Sequence, residues 1–233
     1  MRLAIVTGGT RGIGRAIAER LATDGYEVVA AARRRPAETL AAGIRYAPCD
    51  VADAGSVAAL FAPLERVDLL VNNAGIAGSN TFDGDDALWH AIVSSNLHGT
   101  YHCCKAALPR LPDGAGRIVN IASVLGLRGV PDQTAYCAAK HGVVGLTRAL
   151  ALALAPRRIT VNAVCPGWVA TDMAEQRYRE LGIGPDEAAA GVPTGRVTTP
   201  GEVAELVAFL ASAAAGNITG QALPIDGGGS TKA

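Results

Sequence analysis

A tyrosine and a lysine stand four residues apart, at Tyr136 and Lys140, in a stretch whose pattern predicts a helix. On a helix, this spacing places both side chains on one face. A phenol beside an ammonium group can exchange a proton near neutral pH, because the cation lowers a tyrosine pKa that is otherwise about 10. Tyrosine and lysine at this spacing are more often surface residues, so the pair needs partners before it indicates a site.

The elements that would supply partners alternate along the whole chain. Apolar runs predict strands at Arg2–Thr7, Glu27–Ala32, Ile44–Pro48, Val67–Val71, Arg117–Ile121, Thr160–Val164 and Ala222–Ile225. Amphipathic stretches predict helices at Gly12–Thr23, Gly55–Leu64, Asp85–Leu111, Ala135–Ala155 and Gly201–Ser212. Apolar strands separated by helices predict an α/β fold, a Rossmann-type doubly wound parallel sheet of seven strands with helices on both faces. We expect one domain over residues 1–233.

This sheet would bring a serine to the tyrosine and lysine. Ser123 ends a predicted strand, and ligands of open α/β sheets bind in the crevice at the carboxyl ends of the strands. Ser123 and the start of the Tyr136 helix can therefore converge there. Residues 167–199 show no clear periodicity and are too many for an ordinary connection, so they are either a substrate lid or poorly ordered.

A glycine-rich turn follows the first predicted strand. Gly8, Gly12 and Gly14 are spaced G-x-x-x-G-x-G, and a helix begins directly afterwards. Glycine lets a phosphate approach the backbone closely, and a helix N-terminus offers free N–H groups and partial positive charge. At the first strand of a doubly wound sheet, such a turn predicts a dinucleotide site.

Two rival phosphate motifs are excluded by the sequence. Gly9 and Gly14 have the gap of a Walker loop, but arginine and alanine follow where lysine and a hydroxyl residue are needed. The strict G-x-G-x-x-G pattern, started at Gly12, would place its third glycine where Ile17 stands.

The second predicted strand indicates which dinucleotide binds. An NAD site commonly ends this strand with an acidic residue for the ribose hydroxyl, whereas a 2′-phosphate needs arginine. Here Ala32 is followed by Arg33, Arg34 and Arg35, and Arg11 lies in the glycine turn. We infer NADPH or NADP, with NAD less favoured, and interpret Arg35 as a solvated charge.

The motifs together resemble the short-chain dehydrogenase/reductase family. The family's T-G-x-x-x-G-x-G element occurs at residues 7–14 and its N-N-A-G element at residues 72–75, followed in order by Ser123, Tyr136 and Lys140. The resemblance covers essentially the whole chain, and this combination of motifs is highly specific.

The resemblance implies a role for each polar residue. Tyr136 would be the acid in carbonyl reduction and the base in alcohol oxidation. Lys140 would lower its pKa and bind the nicotinamide ribose, and Ser123 would hold the substrate oxygen. Asn96, in the segment Ser95-Asn96-Leu97, would complete a proton relay through water.

The resemblance also implies cofactor and substrate contacts. Asp50 and Val51 would contact adenine, and Gly167 with Thr171 would clamp the carboxamide. The expected cofactor-binding residues are Gly8, Thr10, Arg11, Gly12, Ile13, Gly14, Arg33, Arg34, Asp50, Val51, Asn73, Ala74, Gly75, Tyr136, Lys140, Pro166, Gly167, Val169 and Thr171. The expected substrate residues are Trp168, Met173 and Tyr178.

Composition excludes several classes of protein. Hydrophobic residues are 49% and charged residues 18%, which excludes a disordered chain and permits a large core. Equal numbers of basic and acidic residues, 21 each, argue against a nucleic-acid or membrane-surface protein. The five cysteines have no C-x-x-C spacing and residues 1–10 lack a signal-peptide pattern, so we expect reduced thiols and a cytoplasmic protein. His98 and His102 lack an evident third ligand, so we expect no metal site.

The expected activity is NADPH-dependent reduction of a ketone to a secondary alcohol. Residues 140–145 and 160–167 look most like β-ketoacyl reductases of bacterial fatty-acid and polyketide pathways, which implies an acyl-thioester substrate and a possible acyl carrier protein partner. Arg128, Arg157 and Arg158 could meet such a carrier, although solvated arginine is the better interpretation. The alternatives are a dehydrogenase of a small secondary alcohol, amino alcohol or hydroxysteroid and, from another class, a cofactor-binding regulator without turnover.

The resemblance also implies a homotetramer, with a dimer as the alternative.

Overall fold

A single parallel sheet forms the centre of the computed structural model, which describes residues 2–231. Its strands are β1 (Arg2–Thr7), β2 (Tyr26–Ala32), β3 (Ile44–Pro48), β4 (Leu69–Asn72), β5 (Arg117–Ile121), β6 (Thr160–Pro166) and β7 (Ala222–Ile225). Their order is β3-β2-β1-β4-β5-β6-β7, and all six neighbouring pairs are parallel. The predicted doubly wound sheet of seven strands is confirmed.

The helices cover both faces of the sheet. They are α1 (Gly12–Thr23), α2 (Ala54–Phe61), α3 (Asp86–Val93), α4 (Gly99–Ala107), α5 (Thr134–Leu154), α6 (Asp172–Leu181), α7 (Pro185–Ala190) and α8 (Pro200–Ala211). A π turn occupies Ser94–His98, and short 3₁₀ turns occupy Leu108–Arg110, Val124–Gly126, Ala155–Arg157, Ala213–Ala215 and Gly229–Thr231.

Two large hydrophobic clusters, one on each side of the sheet, explain why the strands are apolar throughout. On one side, Ile17 and Leu21 of α1 pack with Val207 and Leu210 of α8. On the other, the cluster includes side chains of α2, α4 and α5, with Phe61 completely buried. Each fully buried aliphatic or phenylalanine side chain stabilises the fold by about 1.5–3 kcal/mol. All five cysteines are buried free thiols, as predicted.

The long helix predicted over residues 85–111 is helical from Asp86 to Ala107 and ends in the 3₁₀ turn Leu108–Arg110. The prediction did not include the π turn in its middle, and Asn96 lies buried inside that turn. The Asn96 side-chain nitrogen donates to the carbonyls of Ile92 (2.9 Å) and Ile76 (2.8 Å). A side-chain amide that competes for backbone acceptors in this way widens the helix locally, and π turns often mark functional sites.

Residues 167–199 are ordered, and they contain the two helices α6 and α7. The two helices share a small core of Ala174, Tyr178 and Ala188. Thr171 caps α6, and its side-chain oxygen accepts a bond from the Ala174 N–H. Because both helices are short and bury few side chains, their apolar pattern is too weak to recognise in the sequence.

The region Thr134–Arg157 is long and apolar enough, by length and composition alone, to cross a membrane. In the fold it consists of α5 and the following turn. Ala151 of α5 is buried in the second large cluster, and Val143 and Val144 are buried in a smaller cluster with Ala163 and Cys165 of β6. The apolar length of this helix therefore reflects its packing against the sheet.

Candidate active site

The carboxyl ends of the strands form one edge of the sheet, and the strand order reverses between β1 and β4. A crevice opens at such a reversal, and ligands of doubly wound proteins bind there. The predicted site residues follow β1 to β6 or lie in α3–α5 and the lid that follows β6. The topology therefore brings distant parts of the chain to one edge.

The serine, tyrosine and lysine meet where β5 ends beside α5. The Lys140 nitrogen donates to the Ile121 carbonyl at 2.8 Å and lies 5.4 Å from the centre of the Tyr136 ring. Ser123 is buried, and its hydroxyl accepts a bond from the Leu125 N–H at 3.1 Å. Gly126 lets the turn after Ser123 pack closely against α5, because a Cβ atom at this position would lie 2.7 Å from the Lys140 carbonyl oxygen.

Burial sets the proton affinities of the two titratable groups. It raises the pKa of Tyr136 to about 12, with the Ser123 hydrogen bond opposing that shift. It lowers the pKa of Lys140 to about 8, because the ammonium loses solvation. Desolvation is thus the largest influence on the Tyr136 pKa, and the expected effect of Lys140 on the phenol stays a prediction.

Asn96 lies in the π turn, which packs against α5 through Leu97 and Gly142. Its side-chain oxygen is buried and accepts no hydrogen bond from residues 2–231. Gly75 lies directly against it, since a Cβ atom on Gly75 would collide with that oxygen. An orphaned buried acceptor is costly, and a water molecule in the site would satisfy it, which fits the expected relay.

The glycine turn is shaped as a cradle for phosphate. Gly8 has a φ of +64°, and a Cβ atom on Gly14 would collide with the Gly8 carbonyl oxygen. Helix α1 begins here with no side-chain cap from Arg11 and no acidic residue in its first turn. Its first N–H groups are therefore available to an anion. Thr171 lies next to the turn, because a Cβ atom on Gly12 would be 3.5 Å from its side chain. Thr10 and Ile13, in the same turn, are partly exposed.

Thr7 was not among the predicted site residues, but it joins the two loops of the cradle. Its buried hydroxyl accepts bonds from the N–H groups of Asn73 and Ala74, both at 3.0 Å. The Asn73 side chain returns a bond to the Thr7 carbonyl at 3.0 Å. The available signal was a hydroxyl residue at the end of an otherwise apolar strand.

A second polar group missed from the sequence lies below the crevice. The Asn72 amide donates to Asn120 at 2.8 Å, and Asn120 donates to the Thr147 hydroxyl at 2.8 Å. All three residues are buried, and they connect β4, β5 and α5. These two hydrogen bonds hold the helix that carries Tyr136 against the strands that end at the site.

The predicted 2′-phosphate contacts lie beside the cradle. The Gly8 N–H donates to the Ala31 carbonyl at 2.7 Å, which places the end of β2 next to the glycine turn. Arg33 and Arg34 follow β2, are exposed, and form no hydrogen bond or ion pair within the described chain. The carboxylate of Glu38, in the same loop, is already paired with Arg15 of α1.

The predicted adenine contacts come after β3. Asp50 is partly buried and accepts a bond from the Ala52 N–H at 3.0 Å. Val51 packs so closely on α4 that a Cβ atom on Gly99 would lie 2.7 Å from its side chain. The Val51 carbonyl is also 3.2 Å from a ring nitrogen of His102.

The predicted carboxamide contacts come after β6. Pro166 is buried, and Gly167 packs on the C-terminal loop, where a Cβ atom would lie 2.8 Å from the Asp226 Cβ. Val169 is buried and forms an isolated bridge with Thr198.

The three predicted substrate residues differ in environment. The Trp168 and Tyr178 rings pack together with their centres 5.0 Å apart, and Tyr178 is buried in the core shared by α6 and α7. Met173 is exposed on α6. Trp168 and Tyr178 thus stabilise the segment that contains α6 and α7.

His98 and His102 lie one helical turn apart, with ring centres separated by 6.5 Å. Across residues 2–231, no three histidine, cysteine, aspartate or glutamate side chains come together as metal ligands would.

Comparisons with known proteins agree with this geometry. Residues 8–230 match the family described as Enoyl-(Acyl carrier protein) reductase. The chain is 43% identical to the 3-oxoacyl-(acyl-carrier-protein) reductase of Haemophilus influenzae, over 97% of each chain. A solved actinorhodin polyketide ketoreductase with NADPH has 39% identity and a TM-score of 0.90, covering 99% of this chain and 98% of that one. The ligand-free aldohexose dehydrogenase of Thermoplasma acidophilum has 36% identity and a TM-score of 0.92, covering 100% and 95%.

Proposed function

The chain belongs to the short-chain dehydrogenase/reductase family, and we propose that it is an NADPH-dependent reductase of β-ketoacyl thioesters. It is an oxidoreductase acting on CH–OH and C=O groups. The observation that carries the proposal is the convergence of Ser123, Tyr136 and Lys140 at the crevice.

A nicotinamide dinucleotide fits the cradle. The cofactor, when bound, supplies hydride to the carbonyl carbon. The uncapped α1 N-terminus suits its pyrophosphate, and the close packing of Gly8 and Gly14 leaves no side chain in the way. Arg33 and Arg34, exposed and unpaired within residues 2–231, suit a 2′-phosphate. NADPH binding by the related actinorhodin ketoreductase supports this choice over NADH.

Tyr136 would donate the proton that the substrate oxygen needs as hydride arrives at carbon. Burial keeps its phenol protonated throughout the neutral range. Ser123 would donate a second hydrogen bond to the same oxygen and hold it in line. Lys140 would then stabilise the phenolate as it forms, because its ammonium lies near the ring. Asn96 would order the water through which the proton is replaced.

An acyl thioester is the substrate class that the relatives support, since the Haemophilus enzyme is named for its carrier-bound substrate. A carrier protein is acidic in the usual case, so exposed arginines near the crevice are its natural contacts. Arg128 is exposed near Asp226, whereas Arg158 lies just before β6, at the edge of the sheet opposite the crevice, so we interpret it as a solvated arginine. Arg157 is engaged by Asp113 and by the Leu108 carbonyl, so we assign it to the fold.

The second candidate is a dehydrogenase of a small alcohol, and the likeness to an aldohexose dehydrogenase favours it. The two activities would use the same side chains, and the proton and the hydride would be transferred in opposite directions. A non-catalytic regulator would have no need of a tyrosine, serine and lysine assembled in a crevice.

We further propose a cytoplasmic homotetramer. Tyr101 of α4 and Leu152 of α5 are exposed, and Leu152 is 79% accessible. A symmetric contact between copies would bury both side chains against their counterparts.

Initial rates distinguish the two activities. We expect NADPH oxidation with a short β-ketoacyl thioester to exceed NADP⁺ reduction with secondary alcohols, amino alcohols or aldohexoses. Turnover with the alcohols alone would favour the dehydrogenase. NADPH binding without turnover of any substrate would favour the regulator.

A further inference from the structure

Arg177 of the lid helix α6 contacts two loops, one that follows β4 and one that precedes α5. One guanidinium nitrogen donates to the Ser79 hydroxyl at 2.7 Å and to the Glu180 carboxylate at 3.0 Å. The other is paired with the Asp132 carboxylate. The Arg177 side chain is only 13% exposed, so these bonds are largely shielded from water. Charge-assisted bonds in such a setting are stronger than surface pairs.

Asp132 lies in the loop that leads into the catalytic helix. Its carbonyl accepts a bond from the Asn80 N–H at 2.8 Å. Asn80 is buried, and its side-chain oxygen accepts a bond of 2.9 Å from the hydroxyl of Thr134, the first residue of α5. Thr134 stands two residues before Tyr136. Contacts therefore run without a break from the lid, through Arg177, Asp132 and Asn80, to the start of the helix that presents the tyrosine.

We propose that Arg177 is a positioning residue that fastens the lid to the loops holding the first turn of α5, so that lid closure and tyrosine placement are coupled. The proposal rests on the proposed reductase activity for its catalytic consequence, but the coupling itself does not. With Arg177 released, the lid opens more often, and the loop carrying Asp132 loses its only ion pair within residues 2–231.

Two variants and one matched control test the coupling. Arg177→Met removes the charge and keeps most of the apolar stem. Asp132→Asn weakens the distal end of the same contact. Arg179→Met is the control, because Arg179 lies exposed on the same helix with no side-chain partner among the described residues. Hydrogen exchange of the full-length protein is measured with NADP⁺ present and absent.

We expect Arg177→Met to accelerate exchange about tenfold in α6 and also in residues 130–136. The estimate counts only the charge-assisted bond to Asp132, which joins α6 to that loop, and losing one such bond has about this effect on an opening equilibrium. Arg179→Met should change neither segment. The double variant with Asp132→Asn should exchange no faster in residues 130–136 than Arg177→Met alone, since both act through one contact. Faster exchange confined to α6, or additive effects of the two substitutions, would overturn the proposal.

Kinetics supply a second readout. If the chain is the proposed reductase, Arg177→Met should lower kcat and raise KM for the ketone, and Arg177→Lys should recover part of kcat. A change in KM alone would mean that Arg177 only closes the lid. If no ketone is reduced, the exchange result still decides the coupling, so failure of the proposed function is separable from failure of this inference.

Discussion

The Lys140 ammonium nitrogen donates a hydrogen bond of 2.8 Å to the carbonyl oxygen of Ile121. Ile121 ends β5 two residues before Ser123, so this bond joins α5, the helix that carries Tyr136, to the strand that ends next to the serine. It also holds the charge 5.4 Å from the centre of the Tyr136 ring. The lysine can therefore influence the phenol without leaving its structural acceptor.

This arrangement predicts a pH dependence. Burial lowers the pKa of Lys140 to about 8, whereas Tyr136 keeps its proton up to about 12. As pH rises through about 8, the cation that stabilises the forming phenolate is lost while the proton donor is retained. We expect kcat/KM for ketone reduction, which reports groups of the free enzyme, to fall tenfold per pH unit above that point.

Lys140→Arg is the control for this profile, because arginine stays charged throughout the range. Its rate should be lower but free of the inflection near pH 8. A wild-type profile that is level from pH 7 to 9.5 would contradict the role given to Lys140.

Removing the Tyr136 hydroxyl should abolish turnover and leave cofactor binding intact. We expect Tyr136→Phe to lower kcat by about 10²–10⁴-fold, the usual contribution of a positioned general acid. NADPH affinity, measured by fluorescence titration, should stay within about twofold, because the ring remains in place. Undiminished turnover in this variant would refute the mechanism.

The arginines after β2 should decide cofactor preference. Replacing Arg33 and Arg34 together by alanine should raise KM for NADPH by at least about 10–100-fold, since the loss of a single charged hydrogen bond of about 1.5–3 kcal/mol already accounts for that factor. KM for NADH should scarcely change. Arg35→Ala is the comparison, because Arg35 lies over the Tyr46 ring, 5.2 Å from its centre. An equal loss with both cofactors would mean that these arginines support the loop and do not read the phosphate.

Thr7 offers a test of a residue that opens the glycine motif but was not among the expected site residues. Thr7→Val should destabilise the protein by about 1–3 kcal/mol, because it deprives two N–H groups of their acceptor, and should weaken dinucleotide binding. Thr7→Ser keeps the hydroxyl and should recover most of the free energy of unfolding in urea. Equal unfolding midpoints for the valine variant and the wild type would show that the loops are held by other contacts.

The proposed tetramer can be tested at the most exposed apolar residue of α5. Leu152→Glu should convert the assembly to a smaller species in solution scattering. In a symmetric contact, the new carboxylate would be buried against the same carboxylate of the neighbouring copy, without a positive partner. Phe82→Glu, at a position that is 97% exposed, should leave the assembly unchanged. A wild-type chain that scatters as a monomer would refute the proposal.

The sequence predicted the sheet because its strands are buried on both faces and its helices are long. All seven strands lie within about two residues of their predicted bounds. The motif residues also come to the expected edge, because parallel strands end together. Whether each residue performs its expected role stays a prediction.

Three features could not be predicted, and each has a physical cause. The π turn depends on how the Asn96 side chain bonds to Ile92 and Ile76, the latter on a distant segment. The lid helices bury too few residues to leave a periodic pattern. The Tyr136 pKa depends on burial, which a spacing of four residues does not reveal.

The most direct test of the central claim is the initial rate of NADPH and NADH oxidation with a short β-ketoacyl thioester. The account predicts turnover with NADPH that exceeds turnover with NADH. A protein that binds NADPH but reduces no β-ketoacyl thioester with either cofactor would contradict it.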